Sequence, residues 1–113
     1  MKNYRVPDSV YQIVVAEFAD YDRKRKLLDC VGERKAANEL VRVYIDHVVA
    51  IDAALLSVCR GESTEARDAL RSDIAQGRGF KNSAAKKFYS TRSLFIRRKS
   101  DAIYEVARSL ELI

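Results

Sequence analysis

The sequence predicts an all-α protein, in which a long helical hairpin is followed by three shorter helices. Apolar residues recur at intervals of three and four along most of the chain, and no stretch alternates apolar and polar residues as a strand would. The 113 residues also fall within the usual size of one domain. We therefore expect a single domain over 1–113, with the hairpin at 7–60 and the shorter helices at 63–113.

The first helix is predicted to begin at Pro7 and to end near Gly32. The fixed φ of proline suits the first helical position, and glycine suits the left-handed conformation that ends a helix. The basic run at 23–26 is flanked by aspartates, so we interpret it as a solvated helix face rather than a targeting or nucleic-acid signal. The expected apolar face consists of Val10, Ile13, Val14, Phe18 and Tyr21.

The second helix is predicted to run from near Glu33 to Gly61, and it can pack antiparallel against the first. His47 lies beside its apolar stripe, where we expect a packed or edge histidine rather than a ligand or a catalyst. The stripe itself consists of Ala37, Leu40, Tyr44, Val48, Ile51, Leu55 and Val58.

Three shorter helices are predicted after residue 63, each preceded by residues that commonly cap a helix. Gly77 ends the first of them, the second is very short, and the third continues to the end of the chain. The capping candidates come in neighbouring pairs, which remain alternatives: Ser63 or Thr64, Asn82 or Ser83, and Ser90 or Thr91. The apolar residues expected to face the core are Ala66, Leu70, Ile74, Ala84, Ala85, Phe88, Phe95, Ala102, Ile103, Val106 and Leu110.

Several classes of protein are disfavoured by what the sequence lacks. No apolar run approaches the length of a membrane span, and the polar first residues do not resemble a signal peptide, so we expect a cytoplasmic protein without a membrane partner. Cys30 and Cys59 have no second ligand at metal-binding spacing, which favours free thiols and no metal. No phosphate-binding glycine loop, carboxylate pair or activated nucleophile is evident, so we expect neither an enzyme nor a cofactor.

The positive charge of the chain is concentrated in its second half. Residues 1–59 contain nine basic and nine acidic residues, whereas residues 60–113 contain twelve and seven. Between Asp73 and Asp101 there are eight basic residues and no acidic one. Such a stretch favours a polyanionic partner, although basic faces also serve simply to keep helical domains soluble.

The order of helix, loop, short helix, turn and longer helix over 64–110 is the order of a helix-turn-helix, which favours double-stranded DNA as the partner. On a helical wheel of the last helix, Ser93 and Arg97 lie opposite Phe95, so we expect these two to contact bases. Arg78 and Lys81 could reach the adjacent strand. The DNA-binding residues predicted in this way are Lys86, Lys87, Ser90, Thr91, Arg92, Ser93, Arg97, Arg98 and Lys99. Either Ser90 or Thr91 is expected to cap the helix, and the cations other than Arg97 are expected to hold phosphate.

The segments 88–99 and 102–113 resemble the C-terminal end of phage-encoded transcriptional regulators of the ArpU and RinA kind, whose helix-turn-helix looks like region four of sigma factors. The residues that carry the resemblance are Ser90, Phe95, Arg97, Arg98, Val106, Ala107, Leu110, Leu112 and Ile113. The segment 44–55 resembles the helix before the motif, whereas the loop at 78–82 and the short segment at 84–89 depart from the family. The resemblance implies transcriptional control of phage or prophage genes.

A function of a different class stays open beside this one. The hairpin could be a protein-interaction module that binds RNA polymerase, a host regulator or a second copy of the chain as a homodimer. The sequence does not separate these partners from one another.

Overall fold

The computed structural model describes residues 6–31 and 39–113. Within them the chain forms four α-helices, two short 3-10 helices and no strand, which confirms the predicted all-α class. The α-helices are α1 (Asp8–Val31), α2 (Glu39–Val58), α3 (Thr64–Gln76) and α4 (Arg92–Ser109). The 3-10 helices, Phe80–Asn82 and Ala84–Phe88, lie between α3 and α4.

A single cluster of buried side chains draws on all four α-helices. The helix α1 contacts α2, α3 and α4, and α2 also contacts α4. The largest fully buried apolar side chains are Val14, Phe18, Ile51, Leu70, Ile74, Phe95, Ile103 and Val106. None of the described helices is both long enough and apolar enough to cross a bilayer.

The predicted stripe of α2 is correct in its second half and wrong at its start. Val48, Ile51 and Leu55 are buried, but Leu40 is 57% exposed. Its neighbour Val41 is buried instead, because Val41, Val48 and Leu55 are spaced by seven residues and so share the face that packs on the core. The predicted start of this helix near Glu33 and its stripe residue Ala37 lie outside the described residues.

The prediction of a solvated basic run on α1 is wrong for Lys24, whose side chain is almost fully buried. Glu17 lies seven residues earlier and therefore on the same face of the helix. Lys24 forms an ion pair with Glu17, and its Nζ lies 2.7 Å from Nδ1 of His47 on α2. The other cations of the run, Arg23, Arg25 and Lys26, are exposed as predicted.

The segment between α3 and α4 also differs from the prediction. The short helix after Ser83 is a 3-10 helix in which Ala85 is buried, whereas Ala84 and Phe88 are exposed. A five-residue 3-10 helix presents fewer side chains to a core than an α-helix does. The preceding 3-10 helix at Phe80–Asn82 has no counterpart in the sequence prediction.

The last helix ends at Ser109, before the end of the chain at which it was predicted to stop. The amide of Leu112 donates to the carbonyl of Ala107, and that of Glu111 donates to Arg108, with Glu111 at φ 58°. These are the two hydrogen bonds of a Schellman motif, which satisfies carbonyls at the helix end and turns the chain away from the helix axis.

Candidate nucleic-acid interface

A buried carboxylate, Asp73 on α3, fixes the segment that precedes α4. Its side chain is fully buried and accepts four hydrogen bonds. Two come from the amides of Ala84 and Ala85, at 2.7 and 2.9 Å, and two come from Ser83 Oγ and Arg78 Nε, both at 2.7 Å. Asp73 therefore joins α3 to the start of the second 3-10 helix, where it accepts from the amide of Ala84 and shares the amide of Ala85 with the capping hydroxyl of Ser83.

The same contacts keep Asp73 ionised. Burial alone would raise the pKa of its carboxyl, but the hydrogen bonds from Ser83, Arg78 and the two backbone amides outweigh burial and hold the pKa below its ordinary value. Arg78 also donates to Ser72 Oγ at 2.6 Å. The guanidinium of Arg78, which we expected to reach a DNA strand, is thus already engaged with α3.

A second acidic residue, Glu62 in the α2–α3 loop, fixes the start of α4. Its carboxylate accepts hydrogen bonds from Tyr89 Oη at 2.7 Å and from Arg98 Nε at 2.9 Å. The hydrogen bond and charge of Glu62 raise the pKa of Arg98, and burial together with Glu62 raises the pKa of Tyr89. The hydroxyl of Tyr89 also lies 3.7 Å from the Sγ of Cys59, which is buried. Arg98 therefore holds α4 against the rest of the fold.

The start of α4 is capped by Thr91, which decides between the two predicted candidates. Its hydroxyl accepts a hydrogen bond from the amide of Leu94 at 3.1 Å, whereas Ser90 is exposed and precedes the cap. A hydroxyl cap of this kind stabilises the helix terminus, whose amides carry a partial positive charge.

The orientation of α4 agrees with the helical wheel. Phe95, Ile103 and Val106 are buried, while Arg92, Ser93 and Arg97 are exposed. Neither Arg92 nor Arg97 forms an ion pair with any residue in the described part of the chain. The first two turns of α4 thus present two cations and a hydroxyl to solvent.

The other basic residues that were predicted to bind DNA surround the first two turns of α4, and their local contacts differ. Lys86 lies over the ring of Phe80 and Lys87 over the ring of Phe88, with Nζ 5.7 and 5.3 Å from the ring centroids. Lys99 is half-buried and lines a cleft together with Arg92 and Lys81. The structure therefore brings three of the predicted cations into one cleft, and it engages Arg78 and Arg98 with carboxylates.

The sequence reasoning missed Asp73 and Glu62, which position these basic residues. Asp73 was only the boundary of the acid-free stretch, although a serine ten residues later, at a capping position, was a weak signal for it. Nothing in the spacing of Glu62 pointed to Arg98, because the two are thirty-six residues apart.

The polar cluster of Glu17, Lys24 and His47 lies between α1 and α2, outside this surface. Glu17 Oε1 lies 3.0 Å from Nδ1 of His47. His47 is therefore a packed histidine with polar partners. Within residues 6–31 and 39–113 no group of His, Cys, Asp and Glu side chains is arranged to hold a metal ion.

Comparison with known proteins identifies no family, because no family model, no curated protein and no solved structure matches the chain.

Proposed function

We propose that this chain is a sequence-specific, DNA-binding transcriptional regulator encoded by a phage or prophage, and that it inserts the start of α4 into the major groove. The observation that carries the proposal is the first two turns of α4, where Ser93 and Arg97 are exposed opposite the buried Phe95. In helix-turn-helix proteins, side chains at this end of the recognition helix contact base edges, and arginine commonly pairs with guanine.

The neighbouring elements support this role for α4. In the proposed helix-turn-helix motif, the 3-10 helix Ala84–Phe88 takes the place of the first helix. Residues 89–91 form the turn, and α4 is the recognition helix. Asp73 holds the 3-10 helix through the amide of Ala85, and Glu62 holds the turn through the hydroxyl of Tyr89. The proposed surface is therefore preorganised rather than assembled on binding. The resemblance of 88–113 to phage regulators agrees with this assignment.

The proposed phosphate contacts come from cations that are not engaged with carboxylates. Lys86 and Lys87 precede α4, while Arg92 and Lys99 lie on it, and Lys81 borders the same cleft. We assign Arg98 a positioning role, since its Nε donates to Glu62. The amides at the start of α4 add a favourable dipole for a phosphate group.

Selection from a random duplex library, followed by fluorescence anisotropy on the enriched duplex, tests the proposal. We expect a defined motif to be enriched and Arg97→Ala to weaken binding to it by about 1–3 kcal/mol, because one base contact is lost. The matched control is Arg108→Ala, which removes one exposed arginine from the last turn of the same helix. Failure to enrich any motif, or equal losses in the two variants, would refute the proposed reading surface.

A protein-interaction role for the first two helices is a second candidate, favoured by exposed apolar side chains on α2. Val49 and Leu56 are each 56% exposed and lie seven residues apart, on one face. Val49 also lines a groove of about 520 Å³, together with Ile13, Val43 and Leu112 among others. Exposed apolar residues grouped in this way are typical of protein contacts with a polymerase, a regulator or a second copy.

Light scattering and a pull-down with host RNA polymerase test this candidate. The variant Val49→Ser with Leu56→Ser changes the exposed face, whereas substitutions at Val48 and Ile51 would disrupt the core because both are buried. Loss of a dimer or of bound polymerase in this variant, with DNA binding retained, would support the second candidate. A monomeric wild type that retains no polymerase would argue against a dimer and against polymerase as the partner.

A further inference from the structure

A cleft of about 290 Å³ lies beside the proposed reading surface, between α1, the first 3-10 helix and α4. Residues of α4 at positions 92, 95, 96, 99 and 100 line one side of it, and this spacing places them on one stripe of the helix. Tyr11 of α1 and the segment 79–81 form the rest of the lining. The volume is just below the range of about 300–1,000 Å³ that is typical of small-molecule sites.

The cleft is strongly cationic. Lys81, Arg92 and Lys99 line it, and no acidic residue in the described part of the chain does so. None of the three forms an ion pair with a described residue, unlike Arg78 and Arg98 nearby. Cations that converge without a carboxylate are suited to a phosphate group, which arginine holds through two parallel hydrogen bonds.

The cleft also has aromatic walls. Phe80 and Phe95 line it with their ring centroids 5.7 Å apart, and Tyr11 lines it from α1. Phe95 is buried, whereas Phe80 and Tyr11 are partly exposed. Lys86 lies over the ring of Phe80, so a ligand in the cleft would contact the part of that ring that Lys86 leaves open. Partly exposed rings beside cations are the combination on which nucleic-acid bases stack while their phosphates are held.

We propose that this cleft binds a single nucleotide, with the phosphate held by Lys81, Arg92 and Lys99 and the base packed against Phe80 and Tyr11. The nucleotide could be free or part of a single strand, and both present the same chemistry. The inference does not depend on the binding of duplex DNA. Because Arg92 and Lys99 also belong to the proposed phosphate contacts, a nucleotide in the cleft is expected to weaken duplex binding.

Isothermal titration calorimetry of the full chain tests the cleft, with adenosine monophosphate as the free ligand and a short oligothymidylate as the strand. We expect at least one to bind in the micromolar to millimolar range, and Lys99→Gln to weaken it about tenfold or more by removing a charged hydrogen bond. Arg108→Gln is the matched control, since Arg108 lies in the last turn of the same helix, outside the proposed DNA-binding surface, and does not line the cleft. This control is expected to bind the nucleotide as the wild type does.

A second pair of measurements separates the contribution of the base to binding from that of the phosphate. Inorganic phosphate is expected to bind more weakly than adenosine monophosphate, and Phe80→Leu is expected to reduce that difference while phosphate still binds. Absence of binding by both probes, or equal binding by wild type and Lys99→Gln, would overturn the proposal. Phosphate that binds as tightly as the nucleotide would overturn the role of the aromatic walls. If Arg97→Ala binds duplex DNA as the wild type does while the nucleotide still binds the cleft, the DNA proposal fails and the cleft proposal stands, so the two proposals fail separately.

Discussion

At the scale of single residues, Asp73 connects the scaffold to the proposed DNA-binding surface. It is a fully buried carboxylate with four donors around it, including the charged guanidinium of Arg78. Removing one partner of a buried charged pair destabilises a protein strongly, because the other partner loses its compensation. The stability of the second 3-10 helix should therefore depend on this one side chain.

We predict that Asp73→Asn lowers the free energy of unfolding at neutral pH by about 2–4 kcal/mol, because an amide cannot accept all four hydrogen bonds. Urea denaturation followed by circular dichroism measures this change. Asp68→Asn on the same helix is the matched control, since Asp68 is exposed and should change stability by no more than about 0.5 kcal/mol. Similar losses in both variants would contradict the role given to Asp73.

The effect of Asp73→Asn is predicted to depend on pH. The pKa of Asp73 is lowered in the folded state, so its stabilising contribution is fully present above the unfolded value of about 3.9 and is lost as pH falls through the folded value. The stability difference between wild type and Asp73→Asn should therefore shrink as the pH is lowered from neutral towards and below this range. A difference that stays constant or grows on acidification would contradict the depressed pKa.

The two adjacent arginines of α4 are predicted to differ in their effect on stability. Arg98→Ala should lower the free energy of unfolding by about 1–2 kcal/mol, because the half-buried Glu62 loses its ion pair. Arg97→Ala should change it by less than about 0.5 kcal/mol, since Arg97 is exposed. Thermal and urea unfolding of the two single variants measure the contrast, and equal stabilities would argue against the positioning role of Arg98.

At the scale of secondary-structure elements, the cap of α4 gives a direct test. Thr91→Ala is predicted to lower stability by about 1 kcal/mol, because the amide of Leu94 loses its acceptor. Ser90→Ala should have little effect, since Ser90 lies outside the helix. The denaturant midpoints of the two variants show which hydroxyl caps α4. A larger loss of stability in Ser90→Ala would mean that the helix starts one residue earlier.

The elements with local signals were predicted well. The helix α3 lies between Ser63, whose hydroxyl accepts from the amide of Ala66, and Gly77 at φ 67°. Both ends follow from short-range chemistry that is visible in the sequence, namely a hydroxyl cap and a left-handed glycine. The buried face of α4 was likewise predicted from the spacing of its apolar residues.

The features that depend on partners distant in sequence could not be predicted in this way. Lys24 is buried because Glu17 and His47 pair with it, and His47 lies twenty-three residues away. The ion pair of Arg98 with Glu62 spans thirty-six residues. Periodicity and capping rules describe local structure, so they cannot show which cations the fold uses internally and which it leaves to a ligand.

At the scale of the whole molecule, the fold divides the cations of the acid-free stretch into two groups. Arg78 and Arg98 neutralise Asp73 and Glu62 inside the structure. The other six have no carboxylate partner among the described residues, and they are Lys81, Lys86, Lys87, Arg92, Arg97 and Lys99. Three of these six cations precede α4 and three lie on it, so they are available to the polyanion that the proposed function requires.

The salt dependence of binding to duplex DNA tests the central claim most directly. If four to six of these cations contact phosphates, the logarithm of the binding constant should fall against the logarithm of salt concentration with a slope of about −4 to −5. The variant Lys86→Ala with Lys87→Ala should reduce the magnitude of the slope by about 2. No binding at low salt, or binding with a slope near zero, would contradict the proposal that this surface grips DNA.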